Sequence, residues 1–163
     1  MATAWARSRG DFSDGAPLID EALTLSPEDP DLTIIGEWTL GDAAMRAGRA
    51  GDAADHYERG LVVMRTTPSG VPPPVPFMKV CALTVAGRGD EAASALEEAR
   101  VAPILPRLYV NPFWLAVAEA LVAGSAEDLE SALAGAEENG TFNRAVALVL
   151  AAEHIGGPAR KDG

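Results

Sequence analysis

The chain has 163 residues, of which 48% are hydrophobic and 23% charged, with a formal net charge of −11 and a pI near 4.5. That length can bury a sizeable core, and the composition is that of a folded, soluble chain rather than a disordered one. Lys79 and Lys161 are the only lysines, the arginines are scattered, and so acidic a surface repels phosphate backbones; direct nucleic-acid binding by this segment is excluded.

The first residues, MATAWARSRGDF, lack the apolar core of a secretory signal. No apolar run is long enough to span a bilayer, and the single cysteine, Cys81, can form no internal disulfide. The expectation is a cytoplasmic protein with no membrane contact. Apolar periodicity and cap residues predict helices near 15–26, 30–47, 51–66, 76–87, 90–101, 112–123, 126–138 and 142–155, with a short piece near 3–9 and no strand. Asp29-Pro30 and Asn111-Pro112 each put a capping side chain before a proline suited to the first helical position. Ser125 to Asp128 has the form of a capping box with Asp as the reciprocal acid. Pro27, Pro68 and Pro103 stand where helices stop, and VPPPVP, with Pro73, Pro74 and Pro76, reads as a stiff linker rather than a polyproline recognition motif.

A pattern recurs behind four leading glycines: Gly10, Gly48, Gly87 and Gly124. Five residues on come Gly15, Ala53, Ala92 and Leu129; nine on come Ile19, Tyr57, Leu96 and Leu133; twelve on come Ala22, Gly60, Ala99 and Ala136. Steps of four and then three residues put these on one face of a helix, and the small ones let a neighbouring helix come close. Ten residues before the last three glycines stand Trp38, Phe77 and Trp114, each early in a preceding helix. The glycines are 38, 39 and 37 residues apart, so the unit is a recurring helix-turn-helix. In this setting Arg88-Gly89-Asp90 is an inter-helix turn, not an adhesion motif. Asn139-Gly140-Thr141 is a helix boundary rather than a glycosylation site.

The pattern resembles a tetratricopeptide-type repeat, and the resemblance covers nearly the whole chain. Pro27 matches the closing proline of that family, and Leu40-Gly41, before Gly48, matches its Leu-Gly pair. The period is longer than the usual length of about 34 residues. Glu37 stands where a large apolar residue is normal, Trp38 sits one place late, and Val80 and Val117 replace the glycine of the first helix. Composition and period are also similar to the helical sensor regions of large actinobacterial regulators, signal-transducing ATPases that end in a helix-turn-helix domain. Neither a phosphate loop nor a DNA-reading domain is present in the sequence. The resemblance implies an all-α, right-handed array of about eight helices in antiparallel pairs over residues 1–163, part of a larger array.

Motifs for chemistry are few. His56 and His154 lack ligand-spaced partners, Cys81 lacks a local histidine, and no catalytic, metal-binding or dinucleotide signature occurs. His56 is read as a surface or groove residue and Cys81 as a buried thiol. Glu97-Glu98 and Glu137-Glu138 are read as solvated helix faces. No catalytic residue, metal or cofactor is expected. In tetratricopeptide-like arrays the first helices line a concave groove that holds peptides. Here Ile35, Trp38, Asp42, Met45 and Arg46 share one broad helical face. Phe77, Cys81 and Thr84 repeat that face, and Trp114, Ala118 and Leu121 repeat it again. These residues either hold an extended apolar peptide or a flat small molecule, or form the core. That face has one arginine and no lysine, so the family's carboxylate clamp is not implied.

The expected function is a non-enzymatic protein- or peptide-binding scaffold or sensor, within a transcriptional regulator. A small-molecule sensor using the same groove is the alternative, and an enzyme is the third reading. At the C-terminal end, AVALVLAA is apolar all round, so Val146, Leu148, Val149 and Leu150 are expected to pack against a second copy of the chain or against further repeats.

Overall fold

The computed structural model describes residues 15–67, 74–101 and 112–134, with side chains from residue 17 onwards. The described residues form seven helices and no strand: α1 (Gly15–Leu25), α2 (Pro30–Arg46), α3 (Ala50–Thr66), α4 (Val75–Val85), α5 (Gly89–Val101), α6 (Pro112–Ala123) and α7 (Ala126–Ala134). The expected piece at 3–9, the Gly10 turn, Asn111, the helix at 142–155 and the four candidates Val146, Leu148, Val149 and Leu150 lie outside the described residues. The chain divides into two compact units, Met1–Val75 and Pro76–Gly163.

In the first unit, α1 packs on α2 and α2 on α3. Asp29 starts α2 as expected: its carboxylate accepts the Leu32 N–H at 3.0 Å, and Pro30 follows at the first helical position. Gly36 brings α1 close, since a β-carbon there would lie 3.1 Å from both methyls of Leu23 and 3.2 Å from Ile19 Cγ2. On α3, Ala50, Ala53, Ala54, Tyr57, Gly60 and Leu61 are buried, a single stripe at helical spacing. The Tyr57 ring rests on the backbone of Gly41: a β-carbon there would fall 2.7 Å from Tyr57 Cδ1 and closer still to Cε1. Gly41 of the Leu-Gly pair thus leaves room for this ring.

In the second unit, α5 packs on α6 and α6 on α7. The helix α4 begins inside the proline run, one residue earlier than periodicity predicts. Pro76 sits in its first turn, where a helix has no acceptor for an N–H in any case. Val75, Phe77, Met78, Val80, Cys81, Ala82 and Leu83 are all buried, so α4 is enclosed nearly all round. Ala92, Ala95, Leu96 and Ala99 form the buried stripe of α5. Phe113, Trp114, Val117, Ala118, Ala120 and Leu121 are the buried residues of α6, and Leu129 is that of α7.

The three described turns are alike atom for atom. Gly48, Gly87 and Gly124 have φ of +71°, +75° and +64°, a region in which a side chain is strained. In each turn the glycine N–H reaches back to Met45, Thr84 or Leu121, and the next N–H to Ala44, Leu83 or Ala120, at 2.9–3.1 Å. This is the paired Schellman closure, which satisfies carbonyls the helix end would leave open. The residue after the glycine also starts the next helix. Its carbonyl accepts the N–H of Ala53, Ala92 or Leu129, which are the buried residues five places after the glycine. Its side chain reaches the residue three places on: Arg49 pairs with Asp52, Arg88 with Glu91, and Ser125 Oγ accepts the Asp128 N–H at 3.2 Å. The two arginine pairs are exposed to water and screened, so they contribute little. The backbone closure is therefore what repeats.

Candidate functional site

The face expected to form a groove behaves differently along the chain. On α2, Ile35 and Trp38 are half-buried, Met45 is buried and Arg46 is exposed. Phe77, Cys81, Trp114 and Leu121 are 3%, 1%, 1% and 1% exposed, within the core of the second unit. Burial pushes the Cys81 thiol up to about 12, so it stays a thiol at neutral pH. The indole N–H groups of Trp38 and Trp114 are buried and have no hydrogen-bond partner among the described residues.

Asp42 is the one buried charged residue of the described core. The Tyr57 hydroxyl donates to its Oδ1 at 2.8 Å, which ties α2 to α3 just beside the Gly41 contact. Desolvation raises the Asp42 carboxyl to about 7; the Tyr57 hydrogen bond and the charge of Arg46, one turn on, oppose that rise without cancelling it. Sequence reasoning placed Asp42 on this face, but the cross-helix hydroxyl that holds it was not foreseen.

Glu37 stands beside Gly60, whose β-carbon would lie 3.5 Å from Glu37 Cβ. Arg59 Nε donates to both Glu37 oxygens at 3.1 Å. His56 Nδ1 lies 2.8 Å from Glu37 Oε2 and 2.6 Å from Arg59 Nη2. One ring nitrogen cannot donate to the carboxylate and accept from the guanidinium in the same tautomer. Only one of the two contacts is therefore a hydrogen bond in a given tautomer. The carboxylate in an apolar register is thus met by a polar clamp from α3.

An open cleft of about 750 Å³ lies in the second unit. Its lining comes from Arg100 of α5, from Pro112, Phe113, Ala116, Glu119, Ala120 and Ala123 of α6, and from Asp128, Ser131 and Ala132 of α7. Four of the lining residues are alanines, and Arg100, Glu119 and Asp128 are charged. Arg100 bridges the α5 and α6 rims, donating from Nε and Nη2 to Glu119 Oε1 at 3.1 and 2.6 Å and from Nη1 to Glu97. Glu119 holds the exposed guanidinium above its ordinary range. The sequence marked Pro112 and Asp128 only as helix-start residues and Glu97 only as part of a solvated face; Arg100 and Glu119 were not singled out. The only sign was Glu119 itself, a lone acid in the otherwise apolar PFWLAVAEALVA; its partner is 19 residues away, beyond any helical spacing rule.

Among the described residues no three metal-ligating side chains gather, and no helix is long and apolar enough to cross a membrane. No family model matches the chain, and neither a curated protein nor a solved structure matches it.

Proposed function

We propose that the chain is a non-enzymatic, tetratricopeptide-like scaffold that holds a segment of a partner protein in the cleft of α5, α6 and α7. On this reading it is a right-handed array of about eight helices acting in the cytoplasm, and its likeness to regulator sensor regions gives it a place in signal transduction. The observation that carries the reading is the cleft itself. Its volume, about 750 Å³, lies within the range of roughly 300–1,000 Å³ typical of binding sites. Its floor of Ala116, Ala120, Ala123 and Ala132 lets another backbone approach closely, and its charged rim can fix register. The Glu37 and Asp42 clusters, by contrast, are closed by their own partners across the α2–α3 contact.

A peptide-display library screened against the full chain tests this. Ala123 and Ser131 are exposed, so Ala123→Trp with Ser131→Trp fills the cleft without disturbing the core. Selected peptides should lose binding to that variant. A screen whose binders all hold the filled variant equally well, or that yields none, refutes the reading.

A further inference from the structure

We propose that the occupant of this cleft is a basic amphipathic helix, whose apolar side lies on the alanine floor and whose lysines or arginines meet Glu119 and Asp128. The inference rests on the reading of the cleft as a peptide site and goes further by naming the chemistry of the peptide. Two features carry it, one for charge and one for shape.

The lining contains one cation, Arg100, and two carboxylates, Glu119 and Asp128. Arg100 is shared between Glu119 and Glu97, so its single charge is already met by two acids and leaves Asp128 of the lining unbalanced. Asp128 makes no ion pair among the described residues; its backbone N–H is held by Ser125 while its carboxylate stays exposed. The rim is thus net acidic, on a chain that is itself strongly acidic, and complementarity calls for a cationic guest.

The shape favours a helix. An extended peptide leaves its own N–H and C=O groups to be satisfied by the host. This lining offers few neutral hydrogen-bonding side chains beyond the Ser131 hydroxyl. A helix pairs its own backbone and needs only a close, smooth contact, which Ala116, Ala120, Ala123 and Ala132 provide. The 12 residues of α6 give the contact a length of about 18 Å, or some three helical turns of guest.

The probe is a fluorescein-labelled synthetic Leu/Lys peptide with leucines at helical spacing. It is compared, on the full chain, with a scrambled peptide of the same composition and with a Leu/Glu counterpart. Anisotropy should report binding of the first alone. Asp128→Asn breaks no ion pair among the described residues, and with Glu119→Gln it should weaken binding about tenfold. The same loss of charge on α1, Asp20→Asn with Glu21→Gln, should leave the affinity unchanged. Equal losses in the two variants would reduce the effect to net charge and overturn the proposal. So would equal binding of the scrambled peptide, or no binding of the Leu/Lys helix. A dimer dissolved by Ala123→Trp with Ser131→Trp would assign the cleft to a second copy and overturn it too. If display yields cleft-dependent peptides that are neutral or acidic, this inference fails while the peptide-site reading stands. If display yields none, both fail.

Discussion

Replacing Asp42 with asparagine should make the protein more stable at neutral and alkaline pH. The carboxyl has an ordinary value of 3.8 and is raised to about 7 in the fold, first by desolvation. A folded value above the unfolded one sets the sign. Below about pH 4 the group is protonated in both states and contributes no penalty. As pH rises, the unfolded chain releases the proton while the folded chain keeps it, so stability falls until the folded group also ionises near pH 7. A shift of roughly three units corresponds to about 4 kcal/mol at full extent. About 2 kcal/mol of that falls between about pH 5.5 and 7, a window clear of the pI of ≈ 4.5, where acidic proteins precipitate. Asparagine fills the same space, still accepts from the Tyr57 hydroxyl and does not titrate. The assay is urea unfolding followed by circular dichroism, on parent and Asp42→Asn, from about pH 5.5 to 8.5. Groups common to both proteins cancel in the difference, which should widen with pH in favour of the variant and level off above 7. Parallel curves would refute the argument, because they would mean that Asp42 titrates alike in the folded and unfolded chain.

Gly87→Ala should cost about 1–2 kcal/mol through its positive φ, whereas Gly89→Ala, two residues on at the start of α5 with open space at its β-carbon, should be neutral or stabilising. Chemical denaturation of the pair separates backbone strain from packing. Ala99→Leu, at a site 6% exposed, should cost about 1–3 kcal/mol by overpacking, and Ala93→Leu, on the exposed side of the same helix, within about 0.5 kcal/mol of zero. Equal melting shifts would disprove the helix rotation. Asp42→Ala should destabilise at acid pH by leaving the buried Tyr57 hydroxyl unpaired, about 1–3 kcal/mol, and adding Tyr57→Phe should recover part of that loss. A double-mutant cycle with no coupling would show that the two groups do not depend on each other.

The repeat was legible because it is written in backbone requirements. A glycine at a left-handed position, a small or apolar residue five places on and a stripe beyond it can be read without knowing any tertiary contact. Gly48, Gly87 and Gly124 carry that signal, and Asp29 with Pro30 carries the start of α2 in the same way. What could not be read was how the faces are filled. Trp38, Phe77 and Trp114 hold the same register, yet Trp38 is half-buried and the other two are enclosed, because burial depends on what covers a helix rather than on the helix itself. The cleft was invisible for a related reason. Ala116, Ala120 and Ala132 look like ordinary helix formers, and Arg100 and Glu119 meet only after α5 and α6 have packed.

The same register also shows which residues the fold does not require. Six places before the turn glycine stand Asp42, Cys81 and Ala118, all buried. Eleven places before it stand Glu37, Pro76 and Phe113. The three turns close with the same hydrogen bonds whichever residue is present, so neither carboxylate is demanded by the repeat. Size shows the same freedom: Gly41 is matched in register by Val80 and Val117, and Tyr57 by Leu96 and Leu133, so that where one position is enlarged the other is reduced. Side-chain size thus varies at both positions while the turn is left alone. Asp42 and Glu37 are a different case, because a buried or half-buried charge is costly where an apolar side chain would serve. Each survives only because α3 supplies its partner, Tyr57 for one and His56 with Arg59 for the other. The α2–α3 pair therefore adds polar cross-helix contacts to the buried stripe of α3. The α6–α7 pair has no such cross-helix polar contact among the described residues: Glu119 pairs with Arg100 of α5, and Leu129 is the buried residue of α7.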